Sequence, residues 1–126
     1  MTLAAAKLIA AAAREEASKN RWNMAICVTD DGGHTIYLER MDDTQVASAV
    51  VAQEKASTAA RFKRSTKILE DAVLGGRSVI LKLPSATPIE GGLPIVIEGQ
   101  VIGAIGVSGG SSSQDGQVAA AGIAAL

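Results

Sequence analysis

The sequence predicts a single α/β domain of the α+β kind, with an antiparallel sheet and helices around it. Three observations carry this expectation. An Ala-rich run free of Gly and Pro opens the chain. Two hairpin patterns, each with a glycine in its turn, flank a run to Leu74 that also lacks Gly and Pro. A last helical segment follows the loop SGGSSSQDG. Two hairpins separated by a long helix favour antiparallel pairing over a doubly wound parallel sheet, which needs strand and helix to alternate.

The elements follow in order. Thr2 can accept a hydrogen bond from the free amides of a following turn, so the first helix is expected over Leu3 to Ser18. From Trp22 the pattern alternates, with Trp22, Met24, Ile26 and Val28 set against Asn23, Ala25, Cys27 and Thr29. Asp30, Asp31, Gly32 and Gly33 supply turn residues, and HTIYLER returns as a second strand. Asp42, Asp43 and Thr44 are good caps for a long central helix that ends at Gly75 and Gly76 and is broken at most once. Residues 77–90 mix β-branched types with Pro84 and Pro88, which suits an edge strand or an irregular loop. PIVI, the turn pair Glu98 and Gly99, and QVIGAIGV form the second hairpin, and a final helix begins near Gln114.

Length and composition narrow the function classes. A chain of 126 residues supports one core, so 1–126 reads as one domain without a linker. Apolar types at 48% and charged types at 20% are ordinary for a globular protein. A net charge of −1 argues against nucleic acid and anionic membrane as partners, because neutralising phosphates takes a basic surface. No apolar run approaches the ~20 residues of a spanning helix, and residues 3–13 lack the basic flank and cleavage site of a signal peptide. The expectation is a cytoplasmic protein. Cys27 is the single cysteine, which excludes an internal disulfide and a cysteine metal cluster, and no metal site is expected.

Strand polarity indicates where a site would form. If the last strand lies beside the first, one sheet edge gathers the end of strand two at Arg40, the start of the third hairpin strand at Gly91 and Gly92, and the loop Ser108, Gly109, Gly110 and Ser111. Glycine pairs let backbone amides approach a ligand, and a helix N-terminus favours an anion. Arg40 adds a planar fork of donors for a carboxylate. Glu39, Asp42 and Lys55 are the candidate proton carriers. The same residues have plainer readings, with the glycines turning the chain and Arg40 a solvated strand end. Lys55, Arg61, Lys63, Arg64 and Lys67 read as a solvated helix face interleaved with Glu54 and Glu70. His34, the sole histidine, sits at the opposite turn, ~20 Å along the strand from Arg40. Only a neighbouring subunit could bring it to that edge.

Several motifs together resemble the GlcG/HbpS family, which includes the C-terminal domain of the PduO type. They are RMD at 40–42, EKASTAARFKRST at 54–66, GGLP at 91–94 and VIGAIGVSGGSSSQD at 101–115. The resemblance implies a five-stranded antiparallel sheet flanked by helices and a symmetric homo-oligomer. It implies two functions of different classes. One is a catabolic enzyme that acts on a small carboxylate by hydrolytic, lyase or isomerase chemistry at the glycine-rich edge, with a small anionic ligand and no required cofactor or metal. The alternative is a haem-binding or haem-degrading module, for which His34, Tyr37, Cys27 and Met41 are the iron-ligand candidates. The first helix, where haem-binding relatives can place a histidine, has none.

Overall fold

A computed structural model describes all residues, 1–126. The order is α1 (Leu3–Lys19), β1 (Ala25–Asp30), β2 (Thr35–Arg40), α2 (Ala47–Phe62), α3 (Thr66–Leu74), a 3-10 helix (Ser78–Lys82), β3 (Gly92–Ile97), β4 (Gln100–Ser108) and α4 (Ser112–Ile123). The sheet is antiparallel, in the order β2-β1-β4-β3.

The sheet therefore has four strands, where five were expected. Of the two readings open for residues 77–90, an edge strand or an irregular loop, the chain takes the second, with a 3-10 helix at Ser78–Lys82. Pro84 and Pro88 lack the amide hydrogen a ladder needs, and Ser85 has φ of 54°, outside the extended region. The remaining pattern matches the sequence expectation. Both hairpins form, β4 lies beside β1, and Glu98 and Gly99 turn with φ of 51° and 78°. Strand β1 begins at Ala25, three residues later than the alternation beginning at Trp22 indicated.

Local chemistry fixes the helices. Thr2 Oγ1 accepts from the Ala5 amide at 3.1 Å and starts α1. The central helix breaks once, at Lys63, which adopts a left-handed φ of 53° and separates α2 from α3. Thr44 does not cap α2. Its hydroxyl donates to the Met24 carbonyl, which fastens the segment after β2 to the strand beside it.

Helices cover both faces of the sheet. On one side α1 and α4 pack over Ile26, Val28, Ile105 and Val107, with Ile9 and Val118 reaching down from the helices. On the other, α2 presents Ala52 and Ala56 to Ala25 and Cys27. The row Leu38, Cys27, Gly106 and Gly92 crosses the sheet on the α2 side. A Cβ on Gly106 would collide with the carbonyl of Ala52, and one on Gly92 with the carbonyl of Lys55. Both glycines let α2 lie directly on strand backbone. No helix is long and apolar enough to cross a membrane.

Candidate functional site

The row Arg40, Ala25 and Ser108 closes the sheet edge anticipated from the sequence. Beyond it lies the chain's one cleft, about 370 Å³, lined by Arg14, Asn23, Glu39, Arg40, Met41, Asp42 and Asp43. Met41 is its single apolar side chain. Backbone bonds shape the wall: the Met41 amide donates to Met24 O at 3.0 Å, and the Thr44 amide donates to Met41 O at 3.3 Å. Between them Asp43 takes a left-handed φ of 65°, a conformation Asp tolerates better than most residues.

Charges in this cleft divide into paired and unpaired groups. The Arg14 guanidinium donates to both carboxylate oxygens of Glu39, at 2.8 and 3.1 Å, bridging α1 and β2. Arg40, Asp42 and Asp43 make no ion pair or side-chain hydrogen bond within the chain, and neither does the Asn23 amide. Of the sequence candidates, Glu39, Arg40 and Asp42 thus come together. Arg14, Asn23 and Asp43 also line the cleft: Arg14 arrives through helix packing that spacing does not reveal, while Asn23 and Asp43 read in the sequence as a strand residue and a helix cap.

Lys55 lies elsewhere. It is 1% exposed, and its ammonium donates to Asp115 Oδ2 at 2.9 Å and to Val107 O at 3.0 Å. The expectation of a solvated basic face is corrected at this position, since Lys55 falls on the buried stripe of Ser48, Ala52, Ala56 and Ala59. Gly91 and Gly92 are buried beside it, and a Cβ on Gly91 would stand 2.9 Å from the Lys55 ammonium. Asp115 Oδ1 accepts from the Gly110 amide at 2.9 Å, while Ser111 and Gln114 form a reciprocal capping box. The protein's own carboxylate and amide therefore take up the Gly110 and Ser111 amides. Burial pushes the Asp115 carboxyl above its usual range despite the Lys55 bond. No sequence signal linked Lys55 with a partner sixty residues away.

Iron-ligand candidates are scattered. Cys27 is fully buried, and burial pushes its thiol up to about 11, so it presents no thiolate. Met41 and Tyr37 are half-buried. His34 is 74% exposed at the tip of the first hairpin, with Nδ1 3.5 Å from Asp30 Oδ1. The same Asp30 oxygen accepts from the Gly32 and His34 amides, each at 2.9 Å. Arg61 ties the tip to α2 by donating to Gly32 O at 3.0 Å.

A sheet packed on both faces, with a polar cleft at one end and a lone histidine at the other, defines a small α+β protein with surface sites and no interior cavity. The family model described as haem degrading protein HbpS-like matches residues 1–124, and the chain belongs to that family. It is 50% identical to protein GlcG of Escherichia coli K12 over 103 residues, which is 82% of this chain and 77% of GlcG. A crystal structure of a double mutant of Streptomyces reticuli HbpS covers 100% of this chain and 86% of its own, with TM-score 0.93 and 33% identity. The crystal structure of a PduOC haem complex covers 100% of this chain and 94% of its own, with TM-score 0.89 and 30% identity.

Proposed function

We propose that this chain is a haem-binding module of the HbpS type, with His34 as the iron ligand. The observation that carries the reading is the likeness, along the whole chain, to a domain solved with haem. It favours haem over the small-carboxylate enzyme that the sequence put first.

The donor set supports His34 in particular. It is the only imidazole and the most exposed of the candidate ligands. Metal-ligating histidines commonly hold a carboxylate at the second ring nitrogen, which fixes the ring and its tautomer. Asp30 stands at Nδ1, leaving Nε2 for the metal, and two backbone amides hold the Asp30 carboxylate in place. Haem, when bound, would supply the redox-active or ligand-binding iron; His34, with its ring set by Asp30, would hold it.

One copy does not wall in a tetrapyrrole. Its cleft is polar and lies at the far end of β2 from His34. The apolar faces of the macrocycle therefore call for a second copy, in keeping with the expected homo-oligomer.

Titration with haemin, followed at the Soret band, tests the reading. The expected result is a shifted Soret maximum that saturates at a fixed ratio of haem to chain. Absorbance that rises linearly without saturation, like that of haemin added to an unrelated protein, would overturn it.

A further inference from the structure

The cleft at the end of β2 is not explained by haem. At about 370 Å³ it lies near the bottom of the ~300–1,000 Å³ range of small-molecule pockets, and its lining is polar. With Arg14 and Glu39 satisfying one another, the unpaired groups are one guanidinium, Arg40, one amide, Asn23, and two carboxylates, Asp42 and Asp43. All four are exposed, so a ligand entering the cleft would exchange their water for its own charged groups.

From this we infer that the cleft binds a small zwitterion of the α-amino acid class, with its carboxylate on Arg40 and Asn23 and its ammonium toward Asp42 and Asp43. Charge decides against the nearest alternatives. A dicarboxylate would satisfy Arg40 with one end and meet two carboxylates with the other. A simple amine would leave Arg40 unused. A ligand with one charge of each sign matches the one free cation and its acidic neighbours. The Arg40 fork suits a carboxylate held by two parallel bonds. Met41 gives the ligand's side chain a single apolar contact, so small or polar side chains fit best. The left-handed turn at Asp43 contributes to this geometry, since it sets a carboxylate on the cleft wall at a position most residues enter only with strain.

Calorimetry with the free proteinogenic L-amino acids tests this, with no haem present. At millimolar concentration at least one should bind saturably. Its N-acetyl and carboxamide derivatives, each lacking one charge, should bind at least about tenfold more weakly, and so should succinate. Arg40→Ala should raise the Kd by the same factor. Asp43→Asn, which retains a residue tolerant of the left-handed turn and leaves Asp42 in place, should reduce the preference for the free amine over the N-acetyl form. Arg77→Ala, an exposed arginine remote in sequence, should bind as the wild type does. Absence of binding by any amino acid, equal binding of either blocked derivative, tighter binding of succinate, or an unchanged Kd in Arg40→Ala would each overturn the proposal.

Discussion

Lys55 and Asp115 illustrate how far a single residue's role depends on its partner. Both are buried, at 1% and 3% exposure, so removing one leaves the other as an uncompensated buried charge. Lys55→Ala is expected to cost about 3–5 kcal/mol, whereas replacing both by apolar residues of similar volume should cost much less. Urea denaturation of the single and double variants checks this, and additive losses would contradict it. One other carboxylate, Asp30, illustrates the response of such contacts to acid. Asp30 is held below its ordinary value chiefly by the His34 amide, with Gly32 adding to it. Its folded value lies below the unfolded ~3.9, so its contribution is present above that pH and is lost as pH falls through the folded value. Asp30→Asn should therefore flatten the fall in stability below about pH 4. Urea midpoints measured across that range would contradict the assignment if the variant and wild type fell in parallel.

At the scale of elements, helices and hairpins were legible because each rests on short-range chemistry. Thr2 caps α1, alternation marks β1 and β2, and Glu98 with Gly99 turns the second hairpin. The segment 77–90 was legible only as an alternative, edge strand or loop, since its apolar residues allow a strand while Pro84 and Pro88 oppose one, and neither the 3-10 helix nor the left-handed Ser85 could be read from it. The glycines were legible as special but not as to reason. Gly106 is small because α2 backbone touches it, which depends on the approach of two elements that the sequence does not encode locally. Gly106→Ala should accordingly cost ~3 kcal/mol or more, because strand and helix must separate. Gly99→Ala, at φ of 78° with nothing within 4 Å, should cost only the strain of the turn, roughly 1–2 kcal/mol. Thermal unfolding of the two variants checks the order, and equal losses would contradict close packing of α2 on β4.

At the scale of the whole molecule, Glu39, Arg40 and Asp42 line the cleft together because they are near neighbours in sequence, whereas none of Gly91, Gly92, Ser108, Gly109, Gly110 and Ser111, expected at the same edge, lines it. The sequence did not reveal that the glycine seam and Lys55 would be sealed inside, because that depends on α2 and α4 closing over β3 and β4. The surface carries a further message. Ile68, Leu74, Val79 and Leu81, on α3 and the neighbouring 3-10 helix, are 54–78% exposed, apolar area that the expected homo-oligomer would cover. Light scattering should find more than one subunit, and a monomer at micromolar concentration would contradict this. In the proposed function assembly and haem go together, since a single copy offers His34 without an apolar enclosure. The most direct measurement of that account is the visible spectrum of the haemin-loaded protein compared with that of His34→Ala. The account predicts histidine-ligated bands in the wild type and their loss in the variant, whose exposed position leaves the fold intact. Identical spectra from the two proteins would contradict it.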